Sequence, residues 1–229
     1  MTTARLVYGS SESEGPGGFT PDGCPVELYR RAVRDNLPGP VRALIRQHSS
    51  LLDLCSGPGG ATLPLYGEGM DVEWVDWSAA MLTGLPAGRT HPADATTVRL
   101  PRSFDVVLLA SGLVNTRSDT LRMQFLRTCV AHVGAAGTIL VERWPPAWFA
   151  DPQSFTADVG NLRMAADVLG VTSYADVRFT YRIGADRWTQ RVHIRDWSDA
   201  QVDADCARLG LRWAYAGGDA AWLALTPVA

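Results

Sequence analysis

The chain has 229 residues and a net charge of −3 at neutral pH, with 46% hydrophobic and 20% charged residues. That composition supports a folded core and argues against wholesale disorder. It contains no lysine, so all 21 basic residues are arginine, which excludes Schiff-base, P-loop-lysine and lysine general-base chemistry.

Residues 1–23 are rich in Gly, Ser and Pro and read as an arm or lid. Pro25 opens a helix on which Val26, Tyr29, Ala32 and Val33 share a face, and Leu37-Pro38-Gly39-Pro40 separates it from a second helix, VRALIRQ. Leu51–Cys55 is a short apolar strand running into SGPGG, followed by a helix over Ala61–Tyr66. Val72–Val75 is a second strand, and Ser78 caps a helix over Ala79–Leu85. A third strand ends near Ala93, and FDVVLL (Phe104–Leu109) suits a strand buried on both faces. A helix over Ser118–Val133, stopped by Gly134 and Gly137, leads to a strand over Thr138–Glu142.

Beyond an aromatic, Pro-rich loop, a helix is expected over Asp158–Leu169. Val177–Ile183 and Trp188–Ile194 alternate in hydropathy and read as an antiparallel hairpin. A helix over Asp199–Leu209 and a hairpin around Gly217-Gly218-Asp219 close the chain. The reading is a Rossmann-like α/β fold. Its seven-stranded sheet is mostly parallel with an antiparallel C-terminal edge, and it carries N-terminal helices and a small β-hairpin cap. The chain is read as a single domain: an arm and helices (1–48), a cofactor-binding core (49–143), a substrate cap (144–197), and a closing helix and strands (198–229).

The longest nearly apolar run, Val106 to Val114, is about half of the roughly 20 residues a membrane helix needs, and the N-terminus has no secretory h-region. A cytoplasmic protein without membrane or nucleic-acid partners is expected. Cys24, Cys55, Cys129 and Cys206 form no C-x-x-C pair and read as reduced thiols, and no metal site is expected.

The chemistry concentrates in LLDLCSGPGGAT, Leu51 to Thr62. Glycines let the backbone turn sharply and approach a ligand, but a dinucleotide fingerprint ending at Gly60 would need glycine where Cys55 stands. Asp53, inside the strand, is ill placed beside a pyrophosphate and suits a cationic ligand.

Asp53-Leu54-Cys55-Ser56-Gly57-Pro58-Gly59 resembles the first motif of class I S-adenosylmethionine-dependent methyltransferases, with Cys55 replacing its first glycine. The resemblance extends through Asp76, 23 residues after Asp53, then Ala93-Asp94-Ala95, the Phe104 strand and the Ala131–Gly137 link. It implies S-adenosylmethionine as cofactor. Asp53 would then position the methionyl ammonium, directly or through water, and the turn through Cys55, Gly57 and Gly59 would pack against the cofactor. It also implies that Asp76 receives the ribose hydroxyls and Trp77 stacks on adenine. Met81 would line the pocket, Asp94 beside Ala95 would accept from the adenine amino group, and Ser111 and Gly112 would pass the methionyl end.

The acceptor side is more open. Tyr8 and Tyr29 are arm candidates, although Tyr29, on an amphipathic helix, better suits a core aromatic. Asn115 either hydrogen-bonds an acceptor or is a loop residue. Trp144, Trp148 and Phe149 either wall a pocket or cover the sheet edge. Arg143 either holds a substrate carboxylate or sits in a surface ion pair. His193 is the general-base candidate, with a structural role as its alternative, and His132 reads as structural.

Lysine-dependent ribose methylation, Asn/Asp-Pro-Pro-Tyr amino methylation, Pro-Cys-dependent cytosine methylation and metal-dependent catechol methylation all lack their residues here. What remains resembles small-molecule methyltransferases, of the amine and sugar-amine type, from bacterial specialised metabolism such as antibiotic biosynthesis. Three other readings stay open: a catalytically silent binder of the cofactor, an enzyme using another of its carbons, and a nicotinamide oxidoreductase. The late hairpin offers a surface for pairing in a homodimer.

Overall fold

The structure, a computed structural model, describes residues 9–32 and 37–228. Val33 and Tyr8 lie outside them. The chain runs β1 (Gly9–Glu14), α1 (Val26–Arg31), α2 (Gly39–Ile45), β2 (Ser50–Leu54), α3 (Leu63–Gly67), β3 (Asp71–Asp76), α4 (Ala79–Leu82), β4 (Thr90–Pro92) and β5 (Phe104–Leu109). It continues through α5 (Asp119–His132), β6 (Val133–Glu142), α6 (Pro146–Ala150), β7 (Phe155–Val159), β8 (Leu162–Val171), β9 (Ala175–Ile183) and β10 (Asp186–Ile194). The last elements are α7 (Asp199–Leu209), β11 (Leu211–Ala216) and β12 (Asp219–Pro227).

Seven strands form one sheet in the order β11-β12-β6-β5-β2-β3-β4. The pairs within β4-β3-β2-β5-β6 are parallel, and the closing hairpin joins through β12, which runs antiparallel to β6. Alternation along these strands fills two cores. Leu51, Val106, Leu108 and Leu140 pack with Val41, Ile45, Leu65 and Trp222. Leu52, Leu54, Val107, Leu109 and Ile139 pack on the other side with Phe125, Leu126, Trp197 and Val202. Helices on both faces explain why β2 and β5 read as continuous apolar runs.

The cap is larger than a hairpin. β9 and β10 are two of the three inner strands of a five-stranded antiparallel sheet, β1-β10-β9-β8-β7. The helix expected over Asp158–Leu169 is instead the β7–β8 hairpin. Gly160 (φ +59°) turns the chain, so Asp158 faces Arg163 and Phe155 faces Ala166. Once β9 offers an edge, β8 gains a ladder on both sides, and sheet pairing overrides local helix propensity. The arm residues of β1 likewise pair with β10. The hairpin therefore has no free edge to give a second copy; the outer strands of the sheet are β1 and β7.

Smaller differences have local causes. Gly84 and Pro86 stop α4 at Leu82, short of the expected Leu85. Gly134 and Gly137 lie within β6, which begins directly at Val133. A Cβ at residue 137 would stand 2.8 Å from the Asp105 carbonyl, so glycine permits the close approach of β6 to β5. No helix among the described residues is long and apolar enough to cross a membrane.

Candidate active site

The carboxyl ends of β2, β3, β5 and β6 meet one face of the cap sheet around a cavity of about 1170 Å³. Its floor is the turn after β2. Cys55, Gly57 and Gly59 all have left-handed backbones, with φ of +57°, +54° and +73°. Cys55 thus holds a conformation that disfavours a Cβ, at a cost of about 1–2 kcal/mol. The turn is tied to β3, because the Ser56 amide donates to the Val75 carbonyl at 3.0 Å and the Gly57 amide to Asp76 Oδ2 at 2.9 Å. A Cβ at Gly59 would stand 2.9 Å from both Trp74 Nε1 and Leu85 Cδ2.

Asp53 is only 4% exposed. Thr62 Oγ1 donates to its Oδ2 at 2.6 Å and accepts from Trp74 Nε1 at 2.8 Å. Burial pushes the Asp53 carboxyl up to about 7; the Thr62 bond opposes the shift and the charge of Asp76 adds to it. Asp76 closes β3 and accepts amides on both oxygens, Gly57 on Oδ2 and Ser78 on Oδ1, each at 2.9 Å. Burial raises it, against those two bonds. Each oxygen keeps a lone pair for a ligand hydroxyl.

Trp77, Met81, Asp94, Ala95 and Ser111 line the same cavity. Asp94 Oδ1 accepts from the amide and hydroxyl of Thr96, at 2.8 and 2.7 Å. Ser111 has a left-handed backbone (φ +65°), and its amide donates to Glu142 Oε2 at 2.5 Å. The structure brings the ten residues expected at the cofactor into one region: all but Gly59 line the cavity, and Gly59 sits in the same turn, buried against Trp74.

On the acceptor side, Tyr29 and Trp144 line the cavity. Trp144 also packs against Phe155 and Phe179, each at 6.1 Å between ring centroids. The other expectations are corrected. Trp148 packs tilted against Trp144 at 4.8 Å between ring centroids, outside the cavity wall, and its indole donates to the Gln153 carbonyl. Asn115 is fully buried and clamps two segments; its Nδ2 donates to the Arg195 carbonyl and its Oδ1 accepts the Trp144 amide. It positions the Trp144 backbone and offers nothing to an acceptor.

Arg143 borders the cavity, yet its buried guanidinium is committed to the carbonyls of Ala220 and Trp197 and to Asp199. Its charge is taken up by an ion pair with half-exposed Asp199, from the buried side of that pair, and its donors are spent on the fold and not on a substrate carboxylate. His193 lies on the cap-sheet face opposite Gln190, Val192 and Ile194, which line the cavity. It stacks edge-on with Tyr174 and stands 3.7 Å from Asp176. No general-base role is open to it there. His132 accepts the Leu100 amide and bonds the Thr128 carbonyl, a structural position.

Sequence reasoning missed the cap-side lining: Thr20, Asp22, Cys24, Phe179, Tyr181 and Gln190. The alternation of the hairpin held a signal for Gln190, once the buried face was assigned. Nothing local marked Asp22.

No family model matches the chain, and no curated protein matches it in sequence. Solved structures match it in fold. DesVI of Streptomyces venezuelae is similar with a TM-score of 0.65 at 24% identity, over 82% of this chain and 87% of that one. CalS10, an amino pentose methyltransferase from Micromonospora echinaspora, gives 0.62 at 21% identity, over 82% and 86%. The sugar N-methyltransferase KedS8 from Streptoalloteichus gives 0.63 at 18%, over 89% and 87%. The chain shares the fold of these solved structures, two of which are methyltransferases by name.

Proposed function

We propose that this chain binds S-adenosylmethionine and methylates an amine of a small, sugar-like acceptor. The observation that carries the reading is a single cavity joining a left-handed Cys55–Gly59 turn and two buried carboxylates, Asp53 and Asp76, to an aromatic cap. The residues suit this cofactor: Asp53 is a buried acid with no cationic partner among the described residues, ready for an ammonium, and Asp76 stands preoriented for a diol. When bound, the cofactor supplies a methyl group on a sulfonium cation, and its sulfur is a neutral thioether once the methyl has left.

The chain's own work is positioning and exclusion of water. Asp53 and Asp76 fix the two ends of the cofactor. Trp144, Phe179 and Tyr181 wall the space that would hold an acceptor amine against the cofactor's methyl group. An amine arriving neutral needs no catalytic base, which agrees with the absence of His193 from the cavity. The lining suits a cationic cofactor and the ammonium product: it includes six acidic side chains and one arginine, Arg143, whose charge is already engaged. CalS10 and KedS8 methylate amino sugars by name, and CalS10 takes part in calicheamicin biosynthesis. Those names support the acceptor class and a place in specialised metabolism.

The reading also takes the chain as one methyltransferase domain acting in the cytoplasm. Two copies would pair through an outer strand of the cap, not the β9–β10 hairpin, and light scattering measures that state.

The test is incubation with S-adenosylmethionine and a panel of amino- and hydroxy-sugars, following S-adenosylhomocysteine by mass spectrometry. Methylated amines support the reading. Absence of S-adenosylhomocysteine binding in calorimetry overturns it.

A further inference from the structure

We infer that Asp22, carried on an N-terminal turn over the cavity, recognises the charge of the cofactor's sulfonium and sets the preference for S-adenosylmethionine over S-adenosylhomocysteine. The inference rests on the cofactor reading above and deepens it.

The turn is built from its own bonds. The Thr20 amide donates to the Cys24 carbonyl at 2.9 Å and the Gly23 amide to the Thr20 carbonyl at 2.8 Å. The Cys24 amide donates to Thr20 Oγ1 at 2.9 Å, and a bridge between Phe19 and Pro25 closes the neck. Gln190, a buried residue of β10, donates to Cys24 Sγ at 3.5 Å and ties the turn to the cap. Asp22 accepts from the Thr20 hydroxyl on one oxygen and faces the Cys24 thiol at 3.9 Å on the other. Its carboxylate is held in place without a cation: among the described residues, no arginine or histidine forms an ion pair with Asp22, Asp53 or Asp76.

Asp22 lines the same cavity as Cys55, Gly57 and Asp76, but from the cap side, whereas those residues come from the strand ends. Asp22 and the Cys55–Gly57 turn thus border one space, into which a ligand along the turn would project. The Asp22 carboxylate bears on both Cys55 and Asp76 across that space. Cys55 is pushed well up by burial, then by Asp76, then by Asp22. Asp76 is raised by burial, with Asp22 adding to the shift.

The connectivity of the ligand selects the partner. In S-adenosylmethionine the sulfonium lies between the ribose and the aminobutanoyl arm. Asp76 is placed for the ribose and Asp53 for the ammonium, so the charge between them would lie by Cys55, in the space that Asp22 also lines. A sulfonium has no N–H to donate, and its recognition is Coulombic. A carboxylate already oriented by its own turn suits that task, in a low-dielectric wall that strengthens the attraction.

The test is calorimetric binding of S-adenosylmethionine and S-adenosylhomocysteine, without acceptor, to the full-length wild type, Asp22→Asn and Asp22→Glu. Asparagine keeps an acceptor for the Thr20 hydroxyl and suits the same turn. Asp22→Asn should weaken S-adenosylmethionine by roughly tenfold or more and S-adenosylhomocysteine by no more than about twofold, as one lost charge contact implies. Asp22→Glu should restore most of the preference. Equal weakening of both ligands, or unchanged S-adenosylmethionine affinity, overturns the inference. Wild-type protein that binds neither ligand overturns the cofactor reading itself.

Discussion

Asp76 Oδ2 accepts the Gly57 amide at 2.9 Å, so the acid that ends β3 also holds the turn that follows β2. One side chain couples the two parts of the cofactor site. Asp76→Ala should weaken S-adenosylhomocysteine binding by ~1–3 kcal/mol, because a buried diol loses its acceptor. It also leaves the Gly57 and Ser78 amides without their partner, so urea unfolding should show lower stability. Unchanged affinity by calorimetry would remove Asp76 from the site.

Asp53 gives the binding a pH dependence. Its carboxyl holds a proton in the free fold up to about pH 7, whereas in an unfolded chain it gives that proton up near ~3.9. Across that window the fold binds more protons than the unfolded chain, so this group's contribution to stability is lost as pH rises. An ammonium ligand favours the ionised form and lowers the bound-state value. Affinity for S-adenosylhomocysteine should therefore fall below pH 7, by up to about tenfold per unit. Asp53→Asn should flatten that slope and stabilise the free protein at pH 8. A wild-type affinity that is constant from pH 5 to 8 would contradict this.

The left-handed backbone at Cys55 predicts an unusual order of substitutions. Cys55→Gly removes the strain but adds unfolded-chain entropy, so the net change should stay within about 1 kcal/mol. Cys55→Val places a β-branched side chain at φ +57° and should destabilise by ~2 kcal/mol or more. Thermal unfolding of both variants reads the difference, and a stable valine variant would refute the strain.

Much of this site was legible because its signals are local. Asp53, the glycines of SGPGG and Asp76 sit at strand ends, where chain order and spacing fix their places, and Phe104–Leu109 was bounded correctly by its apolar run alone. The cap was less legible. The β7–β8 segment is held as strands by partners far along the chain, since β8 pairs with β9 from Arg163–Arg182 to Val171–Ala175. Asn115 and Arg143 were misjudged for a related reason: their bonds go to carbonyls 80 and 54 residues away, which no local pattern announces.

His193 tests the face assignment. Burial and the charge of Arg117 lower its imidazole value, with Asp176 opposing, and it faces away from the cavity. His193→Ala should leave methyl transfer within about twofold and its pH profile unshifted, because no reacting atom is within its reach. Loss of a titration near neutrality in kcat would restore it as a base.

Arg143 separates a structural role from a substrate role most sharply. Nε donates to the Ala220 carbonyl at 2.9 Å, Nη1 to the Trp197 carbonyl at 2.8 Å, and Nη2 to Asp199 Oδ1 at 2.6 Å. It thereby joins the end of β6 to the start of α7 and to β12. The Tyr215 hydroxyl and then this guanidinium hold the Asp199 carboxyl below its ordinary range. Arg143→Met keeps much of the volume and strands two carbonyls, one of them buried against the side chain it lost. The cost should be about 2–4 kcal/mol in urea unfolding, while the fraction that stays folded binds S-adenosylhomocysteine with near wild-type affinity. A substrate clamp would behave the opposite way, with stability retained and KM for the acceptor raised.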